Sequence, residues 1–330
     1  WSYFSCMNKK HEKSPCCGGK TIKHGGKRRQ CVACEKTWTV WQKKRGRKAK
    51  RMILAPVRRY LANEGAPITR GHGGATRSAR LRKKRDAFNK KQSWRTPPNG
   101  ELILIADAIL TYHQRQWHTW FFMLVRAVNG EDAVILPPYH RASRETPEGW
   151  SEAIDSIPAN VSKRVKALVS DGHTGLMNTA KQRAWLIQRC HAHLLRAIQA
   201  RRSRWSMGRH RDEAAEVHTL VECVLTKGDE HQTEQALEQI KEIGITTSSK
   251  ILRKVLLGFV KHAKDYRTYL IYPELNLPTT SNTAESLNAL IRDLSTRARG
   301  FRTSTSFNAW IITLCKARGT IKCRGKNPQN

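Results

Sequence analysis

The sequence lacks any apolar run long enough to span a membrane, and no secretory signal peptide is visible. It also lacks an amphipathic basic helix with bulky aromatic residues, which a protein bound to a membrane surface would need. These absences argue against both classes of membrane protein. The first residue is Trp1 rather than Met, and we expect the natural chain to begin upstream.

Acidic residues are scarce, with 26 Asp and Glu against 61 Lys and Arg, which gives a formal charge of +35. The imbalance is uneven, because residues 1–98 carry a net +24 and residues 99–330 a net +11. A basic N-terminal third indicates a polyanionic partner, of which nucleic acid is the commonest. Nine cysteines, an odd number in a long chain, do not form a disulfide framework, so we expect a reducing cytoplasm.

The chain has 330 residues, of which 39% are hydrophobic, so it is long enough for two or more domains with at least one sizeable core. We divide it into three regions. Residues 1–45 form a zinc-ribbon-like module, residues 46–98 a basic region that resembles a helix-turn-helix, and residues 99–330 an α/β domain.

The first region contains SPCCGGKTIKHGGKRRQCVACEKTW, with a Cys31-x-x-Cys34 knuckle. Two such knuckles make a zinc ribbon. The first knuckle is irregular, because Ser14 occupies the place of its first cysteine and Cys16 and Cys17 are adjacent. Two interpretations stay open. Either zinc is bound by Cys17, Cys31, Cys34 and a fourth ligand from among Cys16, His11 and Cys6, or the loop is reduced and metal-free.

The second region is a candidate DNA-binding surface. Arg45-Gly46-Arg47, followed by Lys48, resembles a hook for the minor groove, although a solvated basic linker is an equal alternative. A helix ending at Gly65, a turn, and a basic helix over TRSARLRKKRDAFNKK favour a helix-turn-helix. A basic helix that lies along phosphates without contacting bases is the other interpretation. The basic residues predicted to contact DNA on the second helix are Arg77, Arg80, Arg82, Lys83, Lys84 and Arg85.

The third region alternates strand and helix patterns. ELILIADAILTY, TWFFMLVRAVNG and DAVILPPY predict strands, and TPEGWSEAIDSIP predicts a helix with Thr146 as N-cap. RVKALVSDGHTGL predicts a further strand, after which Asp171 lies at the exit, and Asp107 ends the first apolar run in the same way. In an open α/β sheet, functional sites collect at the carboxyl ends of strands.

A third carboxylate lies in SNTAESLNALI, where Leu287, Leu290, Ile291 and Leu294 form the apolar stripe of a helix. Glu285 points away from that stripe. It either completes a capping box with Asn282 at the N-cap, or it converges with Asp107 and Asp171. Converging carboxylates repel one another, and a divalent metal ion relieves that repulsion.

Asp107, Asp171 and Glu285, together with Cys190-x-x-His193 after the second aspartate, resemble the motifs of DDE transposases of the Mutator-like and related bacterial insertion-sequence group. The resemblance spans about residues 99–330, and SNTAESLNALI…RARGF is similar to the segment around the glutamate in that group. It implies an RNase H-like mixed sheet with an all-helical insertion at about residues 195–278. Two apolar stripes support helices within that interval: Val217, Leu220, Val221 and Val224, and Leu252, Val255, Leu256 and Phe259.

The resemblance also implies a chemistry. The three carboxylates would hold two Mg²⁺ or Mn²⁺ ions roughly 3.5–4 Å apart, for hydrolysis and transesterification of DNA strands. Cys190 and His193, with Asn282 and Asn288 beside Glu285, are the expected accessory residues. For Cys190 and His193 the alternatives are core packing or a second zinc site.

The expected partners are transposon terminal inverted repeats and target DNA, bound by a homodimer or higher oligomer in the bacterial cytoplasm, in association with the nucleoid. Two other functions stay open: a transposon-derived DNA-binding protein without catalysis, and an RNase H-like nuclease or resolvase. Cleavage that depends on Mg²⁺ would exclude the first, and strand transfer would exclude the second.

Overall fold

The computed structural model describes residues 13–14, 16–24, 28–39, 57, 61, 74–202, 211–226, 229–298 and 301–323. The chain divides into two compact units, Trp1–Ile53 and Leu54–Asn330. The hook at Arg45, Arg47 and Lys48, and the turn of the expected helix-turn-helix, lie outside the described residues. Of the first helix expected in that motif, only Val57 and Leu61 are described.

The N-terminal unit contains a small antiparallel sheet of β1 (Thr21–Lys23), β2 (Arg28–Cys31) and β3 (Thr37–Thr39). One turn precedes β1 and another joins β2 to β3, and they use left-handed backbone at Gly18 (φ +69°) and Glu35 (φ +55°) respectively. Such conformations suit tight turns that bring knuckle residues together.

The larger unit is built on a mixed sheet of seven strands. Its central path runs β10-β6-β5-β4-β8-β9, with β7 paired to β5. β4 pairs antiparallel with β5 and parallel with β8, which in turn pairs parallel with β9. The strands are β4 (Leu102–His113), β5 (Gln116–Ala127), β6 (Asp132–Ile135), β7 (Tyr139–Arg141), β8 (Val165–Ser170), β9 (Leu186–Arg189) and β10 (Thr320–Lys322).

Helices cover both faces of this sheet. The described helices are α1 (Gly74–Lys91), α2 (Pro147–Asp155), α3 (Ala159–Ser162), α4 (Thr174–Gln182), α5 (His191–Arg202), α6 (Arg211–Thr226), α7 (Glu230–Thr246), α8 (Lys250–Lys261), α9 (Ala263–Tyr266), α10 (Thr268–Ile271), α11 (Asn282–Arg297) and α12 (Ser304–Arg318). A single 3₁₀ turn, Pro273–Leu275, precedes α11. Among the described residues, no helix combines the length and apolarity that crossing a membrane requires.

Side-chain alternation along the central strands produces two separate cores. Leu102, Leu104 and Ala106 face the helices α2 to α4. Ile103, Ile105 and Ile109 face α11 and α12, in the same core as Phe88 of α1. This period-two division is the reason why the run LILIA is apolar at every position.

The helices α5 to α8 form a third core of their own, which follows the predicted stripes. Val217, Val221 and Val224 are fully buried there, as are Leu252 and Leu256. The predicted N-cap is also confirmed, because the Thr146 side chain accepts a hydrogen bond from the Gly149 amide at the start of α2.

The packing between α2 and α4 depends on a close backbone approach. A Cβ added to Gly175 would lie 2.3 Å from Cα of Pro147. Only glycine fits at such a contact, which fixes α4 and the turn that precedes it.

Candidate active site

Asp107 lies inside a strand rather than at its end, which corrects the sequence expectation. The strand β4 continues from Asp107 to His113 as a hairpin with β5, while its parallel pairing with β8 ends at Ile105. The apolar run identified only the part of β4 that is covered on both faces. Asp107 therefore lies where the parallel sheet opens, and its side chain is on the face covered by α11.

Asp171 follows β8 directly, as predicted. Ile105 pairs with Val169, so Asp107 and Asp171 each come two residues after a paired position on adjacent parallel strands. The Asp171 carboxylate accepts a hydrogen bond from the His173 amide (3.0 Å), and Gly172 has a left-handed φ of +95°. The turn thereby holds the carboxylate at the exit of the strand.

Glu285 lies in the first turn of α11, but it does not form the capping box. Ser281, rather than Asn282, is the N-cap residue, and its side chain makes no cap hydrogen bond. The Ser281 amide donates instead to the Cys190 thiol (3.2 Å). This long-range contact cannot be read from local sequence, and it leaves the Glu285 carboxylate available for other partners.

Those partners come from α5. Arg196 donates to Oε2 of Glu285 (2.6 Å), and Nδ1 of His193 lies 3.6 Å from Oε1. Arg196 was not among the residues predicted from sequence, although its position one helical turn after His193 places both side chains on one face of α5.

Cys190 and His193 form a pair at the start of α5. The Cys190 thiol is fully buried and His193 half-buried. Burial alone raises the pKa of the Cys190 thiol, but hydrogen bonds with His193 and Ser281 lower it overall. The hydrogen bond with Cys190 raises the pKa of His193 to about 9, with help from the carboxylates of Asp171 and Glu285. The neighbouring His191 differs, because its Nε2 pairs with the Tyr266 carbonyl oxygen (2.7 Å).

Asn288 joins α11 to the sheet. Its amide donates to Oδ2 of Asp107 (2.8 Å), while the Ala108 amide donates to Oδ1 (2.8 Å). Asn288 is 2% exposed, so this bond is shielded from water. Asn282, the other expected accessory residue, lines an open groove with Glu285 and Lys322 instead.

The electrostatics link the three carboxylates. Burial raises the pKa of Asp107 to about 6, and the negative charges of Asp171 and Glu285 add to the rise. A buried carboxylate with two acidic neighbours favours either a proton or a cation. In the described part of the chain, Oε1 of Glu285 and Oδ1 of Asn288 are buried without hydrogen-bond partners, as is Nδ1 of His193, which lies 3.6 Å from Oε1 of Glu285.

The carboxylate oxygens and the Asn288 amide oxygen of this site fit a hard divalent cation, because carboxylate and amide oxygens are the ligands that Mg²⁺ takes. Among the described residues, the group at this site with ligand atoms within 4.8 Å of one another is Cys190, His193 and Glu285. The three carboxylates are not all within that distance. Asp107, Asp171 and Glu285 thus do not form one tight cluster.

The N-terminal cysteines form a second group with metal-ligand spacing. Sγ atoms of Cys16, Cys17, Cys31 and Cys34 all lie within 4.8 Å of one another, with pairs such as Cys17–Cys31 at 3.3 Å and Cys16–Cys17 at 3.9 Å. A tetrahedral zinc ion with Zn–S bonds of about 2.3 Å needs sulfurs about 3.8 Å apart, so this set fits zinc. Cys16 occupies the fourth place, with Oγ of the buried Ser14 2.7 Å from its thiol. His11 and Cys6 lie outside the described residues.

The predicted DNA-contacting residues on α1 divide into two sets. Arg80, Arg82 and Lys83 are exposed and Lys84 is partly exposed, whereas the Arg77 side chain is outside the described residues. Arg85 differs from the expectation. It is 7% exposed, pairs with Asp86 (2.7 Å) and lies over the Trp310 ring, so its guanidinium is engaged within the protein.

The chain is a strongly basic α/β protein. The central strands of its mixed sheet and a helix that covers them carry the acidic residues of the candidate site. The family model of the Mutator family of transposases matches residues 127–319. The chain belongs to the Mutator family of transposases. The match includes Asp171, Cys190, His193 and Glu285 and begins after Asp107. A search of curated proteins finds no match to the chain.

Proposed function

We propose that this transposase cleaves DNA strands and joins them to target DNA at a DDE-type centre made by Asp107, Asp171 and Glu285. The observation that carries the proposal is the placement of the two aspartates. They follow paired positions on adjacent parallel strands, and the proposal is supported by Asn288, three residues after Glu285 on α11, which donates a hydrogen bond to Asp107.

We also propose that the domain over residues 99–330 is RNase H-like. Its strands lie in the order β6-β5-β4-β8-β9. β5 is antiparallel to both β6 and β4, whereas β4, β8 and β9 are parallel to one another, which is the arrangement expected of that fold. The helices α5 to α10 would form the all-helical insertion that we expected at about residues 195–278. The regions 1–45 and 46–98 would supply DNA contacts, Arg80, Arg82, Lys83 and Lys84 among them.

Asp107, Asp171 and Glu285 would hold divalent cations, either Mg²⁺ or Mn²⁺. When bound, such ions lower the pKa of a coordinated water or 3′-hydroxyl and stabilise the departing oxygen. Asn288 fixes one oxygen of Asp107 and the Ala108 amide fixes the other, so that carboxylate is held in one orientation. His193, cationic because of its raised pKa, balances the carboxylate charge in the absence of metal.

We expect Arg196 to exchange its carboxylate partner, Glu285, for a DNA phosphate when metal and DNA are bound. It neutralises Glu285 through the 2.6 Å contact, and its side chain is 60% exposed. With Glu285 engaged as a metal ligand, the Arg196 guanidinium would be free to pair with a DNA phosphate instead of the carboxylate.

A strand-transfer assay tests the proposal. The terminal repeats would first be identified by sequencing the DNA that is bound to the protein in cells. Full-length protein would then be incubated with Mg²⁺, target plasmid and labelled DNA that carries those repeats. We expect joined products that are absent with Asp107→Asn. Cleavage without joining would support a nuclease, and neither activity would support a binding protein.

A further inference from the structure

The hairpin of β4 and β5 extends past the sheet. The pairing of β4 with β8 ends at Ile105, but its pairing with β5 continues to His113. The two-residue loop at the tip, Gln114 and Arg115, has left-handed backbone (φ +50° and +63°), as expected for a tight hairpin turn. On the other edge β7 pairs with β5 as far as Thr119, so the part of the hairpin beyond that pairing is a two-stranded ribbon.

One face of the ribbon carries apolar side chains that remain in water. Leu110 is 42% exposed and Tyr112 57% exposed. Both continue the row of Leu102, Leu104 and Ala106, which is buried further back under helices. On the neighbouring strand Trp117 is opposite Tyr112, with ring centroids 5.1 Å apart and planes at 58°. We call Leu110, Tyr112 and Trp117 the hairpin platform.

Arginine side chains lie beside Trp117 and at the tip of the hairpin. The Arg144 guanidinium lies over the Trp117 ring, 5.0 Å from its centroid, and Arg115 lies at the tip. Among the described residues, no carboxylate forms an ion pair with Arg115 or Arg144. Tyr112 is exposed and Trp117 is half-buried. An aromatic surface of this kind beside unneutralised guanidinium groups fits a ligand that has both flat rings and negative charge.

We propose that the hairpin platform binds unpaired bases of a DNA strand, with the bases on Tyr112 and Trp117 and the phosphates near Arg115 and Arg144. Every base offers a π-face, so stacking of this kind does not require a particular sequence. A second copy of the same face is a poorer occupant, because its guanidinium groups would repel these in a chain of charge +35.

The position of the platform defines which part of the DNA it contacts. Tyr112 is five residues from Asp107 along β4, about 17 Å at the usual rise of a strand. Its side chain is on the opposite face from Asp107, because the two positions differ by an odd number. The platform would therefore hold a strand several nucleotides from the reacting phosphate. This inference rests on the proposed function, since only a protein that acts on DNA would present a DNA strand to the platform.

The test uses full-length protein and forked DNA that carries 2-aminopurine in its unpaired arm. Stacking of 2-aminopurine on an aromatic ring quenches its fluorescence. We expect quenching with wild-type protein and with Tyr112→Phe. Tyr112→Ala and Trp117→Ala should each lose the quenching and bind the fork roughly 5- to 100-fold more weakly, as expected for the loss of one stacked base.

Two controls make the result specific. Tyr272→Ala removes another exposed aromatic ring (36% exposed) and should behave as wild type. Fully paired duplex should bind Tyr112→Ala as tightly as it binds wild type. Quenching that persists in both alanine variants would overturn the proposal, as would variants that lose self-association but retain quenching. Failure of the catalytic proposal would appear separately, as cleavage that survives Asp107→Asn.

Discussion

At the scale of the residue, the site depends on a few oriented side chains, and Asn288 is the clearest of them. Its buried amide holds Asp107 at 2.8 Å from α11, across a sequence separation that no local pattern reveals. The polar residue in the middle of an otherwise core-facing helix is thereby explained. Asn288 acts through Asp107 and is a positioning residue.

We expect Asn288→Ala to lower the rate of DNA cleavage by about 10- to 100-fold, the usual effect of removing a residue that orients a metal ligand. Higher Mg²⁺ concentration should recover part of the loss, because the carboxylate remains. Single-turnover cleavage against Mg²⁺ concentration measures this. Ser286→Ala, on the exposed side of α11, is the matched control. Unchanged cleavage in Asn288→Ala would contradict the positioning role.

The raised pKa of Asp107 predicts a dependence of stability on pH. Because its pKa rises from the usual 3.8 to about 6, the folded protein holds a proton on Asp107 between about pH 4 and 6 that the unfolded chain has lost. Without metal, this group's contribution is fully present below about pH 4 and is lost as pH rises through about 6, at a cost of roughly 2–3 kcal/mol.

Asp107→Asn should therefore raise the melting temperature of metal-free protein at pH 7.5 and have little effect at pH 4. Thermal melts in EDTA at both values measure the difference, with Glu274→Gln on the exposed 3₁₀ turn as control. An equal effect of Asp107→Asn at both pH values would count against the buried carboxylate as its source.

At the scale of the element, the sequence predicted the parts with strong local periodicity. The strands β5, β6 and β8 follow from continuous apolar runs, and the helix α2 with its cap and the apolar stripes of α6 and α8 follow from cap residues and a period of 3.6. Short β7, β9 and β10 carry too few residues to show a period. The placement of Asp107 at the end of β4 was wrong because the apolar run marks only the part of the strand that helices cover, whereas the strand continues in partial exposure to His113.

The candidate site was less predictable than the strands. Asp171 and Glu285 were identified from motif and spacing. The N-cap at Ser281, its bond to Cys190 and the pairing of Arg196 with Glu285 depend on contacts between residues 89 or more positions apart. Local sequence preference favours a capping box at Glu285, but the Ser281 amide donates to Cys190 and Glu285 pairs with Arg196 instead.

The approach of α4 to α2 gives an element-scale prediction. Gly175→Ala places a methyl group 2.3 Å from Cα of Pro147, and backbone on both sides cannot yield cheaply. We expect a loss of more than about 2 kcal/mol in the free energy of unfolding. Gly258→Ala in α8 is the control, because its new Cβ meets nothing within 4 Å and should stabilise the helix by about 0.5–1 kcal/mol. Equal chemical-denaturation midpoints for the two variants would refute this packing argument.

The cysteine group gives a prediction for the N-terminal sheet. Purified protein should contain one zinc ion per chain, and Cys16→Ala should release it to a chelator faster than wild type, since three thiolates remain. Metal analysis and a colorimetric release assay measure this, with Cys323→Ala as control. Zinc-free wild-type protein that has the same melting profile as the zinc-loaded form would show that these residues fold without metal.

At the scale of the whole molecule, charge asymmetry should govern DNA affinity. Replacement of Arg80, Arg82 and Lys83 by glutamine removes three exposed charges from α1. We expect the salt dependence of duplex binding to decrease by about 2–3 in slope, because each lost phosphate contact removes about 0.9. The triple change at exposed Lys241, Lys250 and Lys254 is the matched control and should leave the slope nearly unchanged. Equal slopes for the two triple variants would contradict a specific role of α1.

The central claim is that three carboxylates from distant parts of the chain act as one catalytic centre, and Glu285 tests it most directly. The measurement is Mg²⁺-dependent cleavage of terminal-repeat DNA by Glu285→Gln, with DNA affinity measured in parallel and Glu274→Gln as control. We predict that Glu285→Gln binds DNA like wild type and cleaves it more than about 100-fold more slowly, beyond the range of residues that only orient a ligand. Cleavage by Glu285→Gln at the wild-type rate would contradict the account.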